Sequence, residues 1–213
     1  HPSLGSTYLW EGKDPSYLTP PFLEMVTAYV GKMLNIGAVQ INILAKFMLG
    51  FSLSLLLYFI VLEWFGDKYL ALLAAPLTLL ASSLLSSTDL RSVFAWQIND
   101  LAFLRYARPI NPAFSSIVMF GYLFFLHRLW KHPRATYVLY CSVLLGLSIY
   151  AYVYFWTYLF LLNGIFLFWF LAQRNWAGVK NILLISVGAI ILALPYFAHV
   201  VGLFGQPGYQ ETW

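Results

Sequence analysis

The chain has 213 residues, of which 61% are hydrophobic and 9% are charged, and its formal net charge is +4. Soluble domains carry about 25% charged residues, and a water-soluble fold of this length could not hide so much apolar surface. Its Lys and Arg residues form no dense run, which argues against a nucleic-acid partner. The long unbroken apolar segments predict an all-α, polytopic transmembrane helix bundle rather than a membrane β-barrel.

The N-terminal part predicts a loop followed by helix. Residues 1–21 are rich in Pro, Gly and Ser, which is typical of a loop. Residues 22–36 have apolar side chains at helical spacing, so they predict an amphipathic helix that either lies on the membrane surface or leads into the first span. Residues 41–62 are long enough to cross the bilayer, and Lys46 could extend its ammonium group to the near interface.

Four further apolar stretches predict about six spans in all. Residues 70–85 and 113–130 predict the second and third spans, and residues 182–201 the last. Residues 137–171 carry no charge, and at 1.5 Å per residue they would form ~52 Å of helix, too long for one upright pass. Tyr and Trp crowd residues 150–158, and such residues gather at membrane interfaces. We therefore predict a tight hairpin of two short helices turning near 150–156; one strongly tilted helix is the alternative.

The distribution of charge predicts the orientation. The short loops 63–69, 127–136 and 173–181 carry six Lys and Arg residues against two acidic residues, so we expect them to be cytoplasmic. Six of the eight acidic residues then fall on the other side: Glu11, Asp14, Glu24, Asp89, Asp100 and Glu211. This arrangement predicts a multi-pass protein of the plasma membrane with residues 1–40 and 86–112 on the non-cytoplasmic side.

Residues 1–213 are predicted to form a single membrane domain with two outer-face loops, 1–21 and 86–112. Because the chain opens at His1 in a polar loop, we expect it to be an internal piece of a longer membrane protein. The single cysteine, Cys141, lies in an apolar span and predicts a small core residue.

The outer-face loops hold the candidate site. A carboxylate there could accept a proton from an acceptor group, and arginines could hold a phosphate or diphosphate through bidentate hydrogen bonds. The candidate catalytic residues are Asp100, Asp89, Asp14 and Glu11, and the candidate substrate-binding residues are Arg91, Arg105, Arg108 and Tyr17. The alternative is that these charges serve only solubility and topology. The usual motifs of soluble enzymes and metal sites, such as GxGxxG, HExxH and CxxC, do not occur.

A sequence of features links these loops to a known superfamily. The segment Tyr17-Leu-Thr-Pro-Pro precedes the amphipathic helix, a small-residue turn at 35–38 and a span opening at Gln40. A polar stretch ending Arg105-Tyr-Ala-Arg-Pro then precedes the aromatic double span. In this order most of the chain resembles, in layout, the polytopic GT-C-type glycosyltransferases, which include protein O-mannosyltransferase-like and aminoarabinose-transferase-like proteins.

The resemblance implies transfer of a sugar from a polyprenyl-phosphate-linked donor to an acceptor at the outer membrane face, with membrane lipid as a further partner. It places the key acid of the family in the first outer loop, at or before His1. The resemblance does not identify a cofactor, although a divalent cation is one option. It does not predict the oligomeric state either. The competing hypotheses are a non-catalytic transporter or lipid-carrier flippase, which would be expected to place charges within spans at mid-depth, and a structural membrane subunit.

Overall fold

The computed structural model describes residues 22–84, 113–151 and 153–204, and all of the regular structure in these ranges is helical. This confirms the predicted all-α class for the described residues. The helices are, in chain order, α1 (Phe22–Met33), α2 (Ala38–Phe65), α3 (Lys68–Leu84), α4 (Ala113–Lys131), α5 (Ala135–Ala151), α6 (Val153–Ala172) and α7 (Trp176–Phe204).

Four of the described helices are long and apolar enough to cross a membrane, over Val39–Phe65, Ala113–Lys131, Phe155–Ala172 and Trp176–Gly202. Helices α3 and α5 have 17 residues each, which makes them ~25 Å long, somewhat less than the ~30 Å of a bilayer core. The chain is therefore a membrane-embedded, multi-pass protein, and the count of about six spans stays a prediction.

The described residues form two compact units, of which the first contains helices α2, α3 and α4 with α1 at its start. The C-terminal ends of α2 and α4 lie together, because Arg128 Nη2 is 3.0 Å from Glu63 Oε2. Helices α2 and α4 therefore run in the same direction, and α3 runs back along α2, which packs against both of the other helices. Leu53, Leu57 and Ala75 are buried at the centre of this unit, with Ile117 and Phe120 packed against them.

The turn between α2 and α3 takes only two residues. Gly66 adopts a left-handed backbone with φ of 72°, and its N–H donates to the Leu62 carbonyl at 2.9 Å, which ends α2. The Asp67 carboxylate then accepts the N–H groups of Tyr69 and Leu70 at 2.8 and 3.2 Å. Asp67 thereby satisfies two of the four unpaired donors at the start of α3.

Helix α1 ends earlier than the predicted amphipathic stretch 22–36, because Asn35 takes a left-handed backbone with φ of 54°. The Ile36 N–H bonds to the Gly31 carbonyl at 2.9 Å and the Asn35 N–H to the Lys32 carbonyl at 3.3 Å, which is a Schellman end. The side chains of its predicted apolar face that the structure describes are exposed within the protein: Met25, Val26, Tyr29, Val30 and Met33.

The second unit contains α5, α6 and α7. A Cβ built on Gly188 would lie 2.7 Å from Ser142 Oγ, and Tyr150 Oη donates to the Leu192 carbonyl at 3.0 Å. The later residue of α5 thus contacts the later residue of α7, so these two helices are parallel. Helix α6, which connects them, therefore runs in the opposite direction. The sequence 137–171 therefore contains two antiparallel helices, as the hairpin interpretation predicts, with Ala151 ending one and Val153 beginning the next.

The turn between α6 and α7 is shorter than the predicted loop 173–181, since α7 already begins at Trp176. Arg174 is left-handed, with φ of 55°, and the Asn175 N–H bonds to the Phe170 carbonyl at 2.9 Å. Asn175 Oδ1 then accepts the Gly178 N–H at 3.0 Å and caps α7. One asparagine therefore closes one helix through its backbone and opens the next through its side chain.

Candidate functional site

The eight predicted site residues lie outside the described ranges. Glu11, Asp14 and Tyr17 fall within residues 1–21, and the other five fall within residues 85–112: Asp89, Arg91, Asp100, Arg105 and Arg108. Their roles stay predictions. The structure does describe the helix ends from which these segments leave, which are Phe22, Leu84 and Ala113.

The two ends of the charged segment 85–112 lie at one end of the first unit. Helix α3 begins two residues after α2 ends and extends ~25 Å away from the Glu63–Arg128 contact before it stops at Leu84. Helix α4 starts at Ala113 and reaches that contact only in its last turn. Leu84 and Ala113 are therefore both at the end of the unit opposite to Glu63 and Arg128.

The link between α1 and α2 lies at that same end. Helix α2 runs from Ala38 to the ion pair, so its first turn is one full helix length, ~42 Å, from the C-terminal end. Gly37 N–H donates to Gln40 Oε1 at 2.9 Å and fixes this first turn. The link through residues 34–37 is thus at the same end of the unit as Leu84 and Ala113.

A polar cluster occupies the opposite end of the unit. The Glu63 carboxylate, on α2, accepts a hydrogen bond from Arg128 of α4 at 3.0 Å and lies 3.7 Å from Lys131 Nζ. Lys131 Nζ also donates to the Glu63 main-chain carbonyl at 3.3 Å, where it satisfies one acceptor of the last turn of α2. The Arg128 guanidinium stands 4.8 Å from the centre of the Phe124 ring.

His127 adjoins this cluster. Its ring is 5.6 Å from that of Trp64, measured between centroids, and its Nε2 atom is buried without a hydrogen-bond partner among the described residues. His132 is exposed, whereas His127 packs on an indole ring at the end of α2. His127 is therefore half-buried at this end of the unit.

The Glu63 cluster was not predicted as a group, although loops 63–69 and 127–136 were predicted to share one side. The ion pair joins residues 65 positions apart, and its formation depends on the register of two parallel helices. The sequence did contain an indication of this cluster: Glu63 occurs at the end of one apolar span, and Arg128 and Lys131 occur at the end of another. Charged side chains at the ends of membrane spans form ion pairs with one another or extend to the membrane–water interface.

A side-chain hydrogen bond joins α5 to α7 in the second unit. Pro195 lacks an N–H, so the carbonyl four residues before it, on Ile191, loses its helical donor. The Tyr150 hydroxyl donates to the carbonyl of the next residue, Leu192, and the rings of Tyr150 and Tyr196 meet edge to face at 6.0 Å. Cys141 is buried, as its apolar surroundings predicted, and His199 is exposed.

In the part of the chain that is described, no three His, Cys, Asp or Glu side chains converge as metal ligands would. No family model matches this chain. No curated protein and no solved structure matches it either.

Proposed function

We propose that this chain is an integral membrane glycosyltransferase that moves a sugar from a polyprenyl-phosphate-linked donor to an acceptor at the outer membrane face. The observation that carries the proposal is that Leu84, Ala113 and the α1–α2 link lie at one end of the first unit, away from the Glu63 cluster. The charged segment 85–112 therefore leaves and re-enters the described helices on the side of the α1–α2 link.

The proposed reaction takes place where lipid-linked substrates present their headgroups. The acceptor hydroxyl gives its proton to a carboxylate, for which Asp100 and Asp89 are the first candidates and Asp14 and Glu11 the second. The acceptor oxygen bonds to the anomeric carbon while the bond from that carbon to the phosphate oxygen breaks. The electron pair stays on the phosphate, whose charge Arg91, Arg105 and Arg108 hold through charge-assisted hydrogen bonds.

Transfer assays on the full-length protein test this proposal. Asp100→Asn and Arg105→Ala, measured in proteoliposomes with a polyprenyl-phosphate sugar donor, should each lower the rate by at least about 100-fold, the scale of a lost acid–base or charge-stabilising group. Lys46→Gln, which removes a charge within α2, is the matched control and should leave the rate unchanged. Equal rates in all three variants would remove the site assignment, and movement of the donor across the membrane without transfer would support a flippase instead.

A further inference from the structure

The Glu63 cluster lies where two helices that are long and apolar enough to cross a membrane end, Val39–Phe65 and Ala113–Lys131. Three exposed aromatic residues lie in the helix turns next to it: Trp64 in the last turn of α2, Tyr69 in the first turn of α3 and Trp130 in the last turn of α4. Amphipathic Trp and Tyr rings concentrate at the headgroup level of bilayers. The groups nearest to the cluster from outside the protein are therefore lipid headgroups.

The cluster has an excess of positive charge. One carboxylate, on Glu63, faces two cationic side chains, those of Arg128 and Lys131. The Glu63 carboxylate interacts more strongly with Arg128 than with Lys131. At 3.0 Å the Arg128 contact is a hydrogen bond, whereas the Lys131 nitrogen is 3.7 Å away, too far for one. Asp67, the other nearby acid in this turn, is already engaged as the cap of α3.

Lys131 is the cation best placed to bind a second anion. Its side chain is 45% exposed, against 24% for Glu63, and one of its three donors reaches the Glu63 carbonyl. That contact holds the Lys131 ammonium group at the C-terminal end of α2 and leaves it accessible to a ligand from outside the protein. Lys131 is followed directly by His132 and, two residues later, by Arg134, which are also exposed.

We propose that this end of the first unit binds the phosphate of an anionic phospholipid, with Lys131 as the principal ligand, Arg128 as support and Glu63 as an internal competitor for both. A lipid phosphodiester carries one negative charge and accepts the N–H donors that Lys and Arg present. The site is at the opposite end of the first unit from Leu84 and Ala113, so it does not depend on the proposed sugar transfer.

Binding of single lipids to the purified full-length protein tests this proposal. Native mass spectrometry would compare phosphatidylglycerol with phosphatidylcholine of the same acyl chains. Lys131→Gln should weaken phosphatidylglycerol binding by about fivefold, the value of one cation at an anionic surface, and should leave phosphatidylcholine unchanged. Glu63→Gln should strengthen phosphatidylglycerol binding, because it removes the competing carboxylate. Lys46→Gln, at the other end of α2, should have no effect.

Several results would overturn the assignment. Equal phosphatidylglycerol binding by Lys131→Gln and Lys46→Gln would show that Lys131 is not the principal ligand of the lipid phosphate. Weaker binding by Glu63→Gln would show that Glu63 does not compete with the lipid. Full displacement of the lipid by inorganic phosphate at equal concentration would identify a site for free phosphate rather than for a headgroup. The expected result is that inorganic phosphate displaces none.

Discussion

Glu63 and Arg128 are 65 positions apart in the chain, and their side chains meet at 3.0 Å where α2 and α4 end. This contact fixes the direction of three helices, because α3 follows α2 through a two-residue turn. It also determines which end of the unit is left to the charged segment 85–112. The contact thus links the fold of the first unit to the position of the proposed site.

The ion pair itself should contribute modestly to stability. The two side chains are 38% and 24% exposed, so solvent screens their attraction. A double-mutant cycle with Glu63→Gln and Arg128→Gln should give a coupling energy of about 0.5–1 kcal/mol, measured by thermal unfolding in detergent micelles. A coupling energy of zero would show that the two groups do not interact in the folded protein.

The packing of α5 against α7 should be sensitive to one methyl group. A Cβ on Gly188 would lie 2.7 Å from Ser142 Oγ and 2.9 Å from Ser142 Cβ, closer than van der Waals contact allows. Gly188→Ala should therefore lower the free energy of unfolding by about 1–3 kcal/mol. In a protein that already carries Ser142→Gly, Gly188→Ala should lower the free energy of unfolding by a clearly smaller amount.

Gly164→Ala is the matched control for that experiment. Nothing lies within 4 Å of a Cβ at Gly164, so alanine there should be neutral or should stabilise α6 by up to about 1 kcal/mol. If Gly164→Ala and Gly188→Ala destabilise the protein equally, the close approach of α5 and α7 is not what limits residue size at Gly188.

The end of α6 carries backbone strain that a glycine would relieve. Arg174 has φ of 55°, a region in which a Cβ costs about 1–2 kcal/mol. Arg174→Gly should raise the unfolding temperature, whereas Arg174→Ala, which also removes the charge, should not. A larger gain from alanine than from glycine would mean that charge and not φ governs this position. Chemical denaturation of the same variants would check the direction independently.

The Tyr150 hydroxyl should stabilise α7 next to Pro195. Tyr150→Phe removes only the donor to the Leu192 carbonyl, and the expected loss is about 0.6–1 kcal/mol, the usual value of a hydrogen bond between membrane helices. Tyr158, whose side chain is 52% exposed, provides the comparison, and Tyr158→Phe should be nearly neutral. Thermal unfolding of both variants distinguishes the two positions, and equal losses would contradict the role given to the Tyr150 bond.

The amino-acid composition and the spacing of apolar residues were enough to predict much of the fold. The apolar stretches gave the all-α class, and the aromatic residues at 150–158 indicated the break between Ala151 and Val153. The helix ends at Asn35 and Arg174 were harder to predict, because the left-handed conformation there falls on residues other than glycine. The register that joins Glu63 to Arg128 depends on contacts between distant segments, which no local pattern encodes. The predicted catalytic residues are on segments outside the described helices, so their arrangement stays a prediction.

Labelling of single cysteines in intact cells tests the central claim, that the charged segment is on the outer face and the Glu63 cluster on the inner one. The buried Cys141 gives a low background, which Cys141→Ala would remove. A membrane-impermeant maleimide should label Ser87→Cys in intact cells, and should label His132→Cys only after the membrane is opened. Labelling of His132→Cys in intact cells, with Ser87→Cys protected, would contradict the account.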